Sequence, residues 1–193
     1  MSLEDYQKKR NFSSTPEPAK KGIARRKASD FVVQRHQARQ LHYDFRLEAD
    51  GVLKSWAVPK GPSMNPADKR LAMQVEDHPR GYKRFAGTIP AGNYGAGTVE
   101  IWDHGKYTPL DQEKRPCGET EFLKQLKAGN ARFVLQGNKL KGEFALIRMK
   151  SLKEAAWLLI KMEDEFAVHE PQGPVGLSGQ ALPLKKTRKK PGK

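Results

Sequence analysis

The sequence carries a single cysteine, Cys117, among 193 residues. That excludes an intrachain disulfide and any multi-cysteine zinc site, and it makes a reducing cytoplasm the expected compartment. No apolar run is long enough to cross a bilayer, and Met1-Ser2-Leu3-Glu4-Asp5-Tyr6 lacks the charged-then-apolar layout of a signal peptide. No membrane partner is expected. There is no internal repeat. The one glycine-rich stretch, Gly87 to Gly97, is not followed by Gly-Lys-Ser/Thr, so it is not a Walker A loop. It leads into the strand-like Thr98–Trp102 rather than a helix, so it is not a Rossmann loop either. Strand-flanking glycines of this kind predict a structural loop or a barrel corner.

Acidic residues are the minority: 22 Asp and Glu stand against 36 Lys and Arg, a net charge of +14. Residues 1–27 hold eight Lys/Arg against three acids and residues 170–193 hold six against one, so most of the excess sits on the two ends. Basic ends add salt-dependent, sequence-independent affinity for nucleic acid. The expected organisation is a flexible basic arm over 1–28, one folded domain over 29–168 and a disordered basic tail over 169–193. Within the arm, Leu3 to Arg10 has the makings of a short helix, which Ser13-Ser14-Thr15-Pro16-Glu17-Pro18 would break.

The middle of the chain reads as strands. Phe31-Val32-Val33 opens the first, and Gln34 to Gln40 reads as a polar turn containing His36. Leu41 to Leu47 alternates cleanly: Leu41, Tyr43, Phe45 and Leu47 on one face, His42, Asp44 and Arg46 on the other. Ala49-Asp50-Gly51 is a hairpin signal, and Val52–Val58 is the return strand. Arg70–His78 is expected to place Leu71, Met73 and Val75 in the core, with Arg70, Ala72, Gln74, Glu76 and His78 opposite. Asp103-His104-Gly105 reads as another hairpin turn, with His104 exposed. Glu119–Ala128 is the clear helix, with Gly129 at its stop position. Strands over 132–136, 143–149 and 157–162 follow, and Phe133, Leu135, Phe144, Leu146, Trp157 and Leu159 are core candidates. His169 is expected to be solvent-exposed. About eight short strands with one or two peripheral helices, and no βαβ alternation, predict a mainly β protein: a compact antiparallel barrel.

Two groups of side chains carry candidate chemistry. His36, His42 and Asp44 form a ligand set for one divalent metal, with manganese, zinc and iron all compatible. Arg46, His78 and Tyr82 suit a tetrahedral oxyanion, and His78 can exchange a proton near neutral pH. A metal beside an anion clamp is a recurrent arrangement for phosphoester hydrolysis.

These residues stand in motifs that resemble a known family. Arg35-His36 with His42-Tyr43-Asp44-Phe45-Arg46-Leu47, then Lys54 to Pro62, then Val75-Glu76-Asp77-His78-Pro79 and Tyr82, are similar to the 3′-phosphoesterase domain of bacterial DNA ligase D. Ile89-Pro90 to Tyr94-Gly95, Gly97 and Trp102-Asp103 fit as well, so the resemblance runs from about Phe31 to Phe166. It implies a metal-dependent phosphodiesterase and phosphomonoesterase, commonly using manganese. Such domains trim DNA 3′ ends, removing a terminal ribonucleoside and then the 3′-phosphate to leave a ligatable 3′-hydroxyl. By position, it implies metal ligation by His36, His42 and Asp44, and phosphate binding and catalysis by Arg46, His78 and Tyr82. Lys60, Arg70 and Glu76 match supporting residues. Arg10-Asn11-Phe12 and Thr15-Pro16-Glu17-Pro18 resemble the family's N-terminal segment, bringing in Arg10 and Glu17, although the family usually has an acid at the place of Asn11. The implied setting is a nucleoid-associated monomer acting on DNA or DNA/RNA primer–template 3′ ends, alongside DNA ligase and Ku-type end-joining proteins. Two other readings remain open at this stage: a non-catalytic nucleic-acid-binding barrel serving as an end-joining adaptor, and a phosphatase of small molecules or RNA ends.

Overall fold

The computed structural model describes residues 2–19, 29–150 and 155–170. Nine strands form one antiparallel sheet: β1 (Ser29–Gln37), β2 (Leu41–Ala49), β3 (Val52–Val58), β4 (Arg70–Pro79), β5 (Gly87–Ile89), β6 (Gly97–Leu110), β7 (Asn130–Gly137), β8 (Lys141–Arg148) and β9 (Ala156–Lys161). The order is β1-β2-β3-β4-β9-β8-β7-β6, with β6 pairing back onto β1. That last pairing closes an eight-stranded barrel, and the short β5 lies on the edge of β6. Among the described residues, closure leaves no long unpaired edge.

The β2–β3 hairpin shows how local chemistry sets the register. Asp50 and Gly51 both take positive φ, 53° and 69°, which is the type I′ turn that an Asp-Gly pair favours. The register it fixes sends Tyr43, Phe45 and Leu47 inward, where they meet Trp56, Phe133, Phe144 and Trp157 in the main core. Trp56 and Trp157 meet edge to face at 5.9 Å, a favoured aromatic geometry. Helix α2 (Glu119–Ala128) ends at Gly129 in the left-handed conformation, and its Phe122 packs on Tyr107 and Phe133.

Four expectations are corrected. First, β1 does not stop at Val33. It continues through Gln34, Arg35 and His36, paired with β2 on one side and β6 on the other. Second, the faces of β4 are reversed in its first half. Ala72 lies in the core, Gln74 accepts a bond from the Trp157 indole (3.1 Å), and Leu71 is exposed. A bulge then sets Leu53 opposite His78 but Ser55 opposite Val75. The extra residue brings Val75, Glu76 and His78 to the same cavity.

Third, Asp103-His104-Gly105 is not a hairpin but the middle of β6. The Asp103 carboxylate is buried and accepts backbone N–H bonds from Asn138, Lys139 and Leu140 at 2.8–3.2 Å, so it organises the β7–β8 turn. His104 is exposed there, as expected. Fourth, residues 2–19 of the anticipated arm are packed against the barrel. Ser2 caps the six-residue α1 (Leu3–Lys8) in a reciprocal capping box with Asp5. Tyr6 is fully buried and its hydroxyl donates to Pro18 O at 2.7 Å, which folds the arm back on itself. The rest of the arm and the expected tail from residue 171 onward lie outside the described residues.

A second, smaller core forms on the outside of the barrel wall. Tyr6 from α1, Leu53 from β3, Tyr82 from the 3-10 turn Arg80–Arg84, Phe85, Ile89 and Val99 make it up. The wall of β1–β4 is thereby covered on both faces, and polar residues pointing outward from it become buried. No helix among the described residues is long and apolar enough to cross a membrane.

Candidate active site

Period-two geometry lines up the outward face of β2. His42, Asp44 and Arg46 project in a row, and the β1 register sets His36 directly opposite His42 and Gln34 opposite Asp44. His36, His42, Asp44 and Arg46, with Ala57, Val75, Glu76 and His78, line a cavity of about 160 Å³. The arm, through Arg10, and the glycine-rich loop, through Tyr94 and Gly95, close it from outside.

At one end, His36, His42 and Asp44 offer ligand atoms that lie within 4.8 Å of one another. The second nitrogen of each imidazole is already committed. His36 Nε2 lies 2.9 Å from Gly95 O, and His42 Nδ1 lies 3.0 Å from Gln40 O. A carbonyl oxygen only accepts, so the protons sit on those nitrogens. His36 Nδ1 and His42 Nε2 are left as lone-pair donors, each 3.6 Å from an oxygen of Asp44. Burial would raise the Asp44 carboxyl, but the Arg46 guanidinium beside it and the two imidazoles hold it well below the usual carboxylate range. Two imidazoles oriented by outer hydrogen bonds, plus one ionised carboxylate, fit a divalent transition metal.

At the other end stands a buried cationic clamp. Arg46 donates from Nε to Gln34 Oε1 (2.8 Å), from Nη1 to Ser55 Oγ (2.9 Å) and from Nη2 to Asp44 Oδ2 (3.1 Å). Its guanidinium lies over the Tyr82 ring at 4.8 Å. Gln34 is itself fixed, because its amide donates to Tyr82 O and Phe85 O, both at 2.9 Å. Arg10 enters from the arm. It bonds Glu17 at 2.8 Å and Glu76 at 3.1 Å, and its Nη2 lies 3.3 Å from His78 Nε2. Glu17 also accepts from the Tyr82 hydroxyl at 3.0 Å and from Thr15 at 2.9 Å. Burial pushes the Tyr82 phenol far above its ordinary value, so it is a donor at any working pH.

His78 is held between these groups. Its Nδ1 is 2.8 Å from Glu76 O and therefore carries the proton; Nε2 accepts from Arg10. Burial, with the Arg46 and Arg10 cations added, lowers its pKa well below 6.5. The imidazole is neutral at neutral pH, with its lone pair in the cavity.

The sequence-based candidates divide accordingly. His36, His42, Asp44, Arg46, His78, Tyr82, Glu76 and Arg10 converge on one cavity, and Glu17 reaches it through Arg10 and Tyr82. Lys60 and Arg70 do not. Lys60 is exposed in the turn after β3, and Arg70 sits at the far end of β4, bonded to Asp68 at 2.8 Å. Gln34, Ser55 and Tyr94 were not anticipated. Gln34 precedes His36 by two, so extending the first strand by three residues past Val33 places both on one face.

The sequence matches the DNA Ligase D 3′-phosphoesterase domain over residues 34–148. It is 50% identical over 167 residues to the multifunctional non-homologous end joining protein LigD of Pseudomonas aeruginosa, covering 84% of this chain and 19% of that protein. The corresponding protein of Mycolicibacterium smegmatis is 44% identical over 164 residues, covering 84% of this chain and 21% of that protein. The LigD protein of Mycobacterium tuberculosis is 43% identical over 166 residues, covering 84% and 20%. The chain thus spans about a fifth of the length of these curated relatives. On the strength of both matches, and with the barrel and its outer-wall cavity in place, the chain belongs to the DNA ligase D 3′-phosphoesterase domain family.

Proposed function

We propose that the protein is a divalent-metal-dependent phosphoesterase that trims DNA 3′ ends for end-joining repair. It removes terminal ribonucleosides and 3′-phosphates to leave a 3′-hydroxyl for a ligase. The observation that carries this reading is the adjacency of two ligand sets: His36 Nδ1, His42 Nε2 and Asp44 share one cavity with Arg46, Arg10 and the neutral His78. Manganese is the expected metal, held by His36, His42 and Asp44. When bound, it supplies positive charge and Lewis acidity at the phosphoryl group.

The protein's own groups do the remaining work. Arg46 and Arg10 donate to the non-bridging oxygens. Their positions are set in advance by Gln34, Ser55, Glu17 and Glu76, so little reorganisation accompanies phosphate binding. Tyr82 stays protonated and orients Glu17. A bound phosphate offsets the two guanidinium charges that depress the His78 pKa, so the imidazole gains basicity when substrate arrives. As a water adds to phosphorus, His78 can take its proton at Nε2 and return it to the departing ester oxygen as the old phosphorus–oxygen bond breaks.

The test is release of inorganic phosphate from a 3′-phosphate primer–template with added Mn²⁺. His42→Ala, Asp44→Ala and His78→Ala should each abolish release while circular dichroism and thermal unfolding show a folded barrel. Full activity in these variants or in excess chelator would contradict the proposal. Salt-sensitive DNA binding without product under any metal would favour the adaptor reading instead.

A further inference from the structure

The cavity has the volume for a phosphoryl group but is small for a whole nucleotide. At about 160 Å³ it is tight for a sugar and base beside the phosphoryl group, which places them toward its mouth. There the glycine-rich loop presents Tyr94. The tyrosines of the barrel wall and arm, Tyr6, Tyr43, Tyr82 and Tyr107, are all buried, whereas Tyr94 is 49% exposed, the highest value among the large apolar side chains described. Its ring also lines the cavity. Two cations lie over the ring, Lys9 Nζ at 4.9 Å and the Arg10 guanidinium at 5.3 Å from its centroid.

The loop is held firmly. Ser14 Oγ bonds Asn93 Oδ1 at 2.7 Å, tying it to the arm, and Gly95 O bonds His36 at 2.9 Å, tying it to the candidate metal ligands. Gly97 allows that docking, because a Cβ there would come within 2.3 Å of Gln37 O. A half-exposed aromatic ring, on a loop tied to the arm and to β1 beside an anion clamp, gains free energy by stacking on a nucleobase, and it does so with little regard to base identity.

We infer that Tyr94 is the stacking platform for the base of the 3′-terminal nucleotide, and so makes the site select nucleic-acid 3′ ends over simple phosphate esters. The inference rests on the proposed function and deepens it. Tyr94 positions substrate and takes no part in bond breaking.

The test compares wild type, Tyr94→Phe and Tyr94→Ala on two 3′-phosphate primer–templates, one with a normal terminal base and one with an abasic terminal sugar. On the normal end, Tyr94→Ala should raise KM about tenfold with kcat changed less than twofold, and Tyr94→Phe should retain wild-type KM. On the abasic end, wild type should show the same raised KM, and Tyr94→Ala should lose nothing more. A 2-aminopurine at the 3′ terminus should be quenched on binding wild type and Tyr94→Phe but not Tyr94→Ala. An unchanged KM in Tyr94→Ala, or an equal loss on normal and abasic ends, would overturn the inference. Wild type that releases no phosphate with any metal would instead overturn the proposed function; the 2-aminopurine signal would then still decide whether Tyr94 stacks.

Discussion

Gln34 offers the sharpest test of how the site is held. Its side chain is fully buried and makes three hydrogen bonds, two to the carbonyls of Tyr82 and Phe85 and one from Arg46 Nε. Replacing it with Ala removes the Gln34 partner of the Phe85 carbonyl and of one Arg46 N–H in a space shielded from water, and leaves the Tyr82 carbonyl with the Phe85 N–H at 3.0 Å. Neutral buried bonds contribute about 1 kcal/mol each and a bond to a charged group about 1.5–3 kcal/mol. The expected loss is therefore about 3–5 kcal/mol, a large share of the roughly 5–15 kcal/mol available to a domain of this kind. Urea unfolding at pH 7 measures it. Because Gln34 also sets the angle of Arg46 and the seat of Tyr82, the fraction that remains folded should release 3′-phosphate at least tenfold more slowly. A destabilisation below about 1 kcal/mol with wild-type activity would refute the reasoning, since it would mean that neither bond set constrains the clamp.

Three further outcomes follow from the same geometry. His78 has a folded pKa below its unfolded value near 6.5. The unfolded chain therefore binds the proton more readily, and stability should fall as pH drops below about 6.5. Thermal unfolding from pH 8 to 5 should show this slope, with a shallower one in His78→Asn. Gly97→Ala would force a Cβ to within 2.3 Å of Gln37 O at a φ of +145°. It should loosen the glycine-rich loop, free His36 Nε2 from Gly95 and weaken Mn²⁺ binding, as read by electron paramagnetic resonance titration. Asp103→Ala removes the acceptor for three backbone N–H groups of the β7–β8 turn and should cost about 2–4 kcal/mol in urea unfolding, with metal affinity unchanged.

What could be read from the sequence was whatever strand periodicity encodes. β2 alternates without interruption, so the shared face of His42, Asp44 and Arg46 was legible, as were the core positions Phe133, Phe144, Leu146 and Trp157. The misreadings come where that signal is erased. Gln34 to Gln37 carries no apolar alternation, because the outer face of β1 is occupied by hydrogen-bonded polar groups and not left to solvent. In β4 the bulge shifts the phase between Val75 and His78, so one period cannot describe the whole strand. Asp103 mimics a turn residue because its carboxylate does serve a turn, but one on a different hairpin. The arm's contribution depends on contacts such as Arg10 with Glu76 and His78, more than 60 residues away in sequence. Those contacts follow from tertiary packing of Tyr6 against the outer core and leave no local pattern.

The proposed chemistry needs a cation held by His36 and His42 through different ring nitrogens. Anomalous scattering from a crystal soaked in Mn²⁺ and phosphate tests it directly. A manganese peak bounded by His36 Nδ1, His42 Nε2 and the Asp44 carboxylate is expected, with phosphate density between it and Arg46 and His78. A peak elsewhere, or one that leaves either imidazole bonded only to its backbone carbonyl, would contradict it.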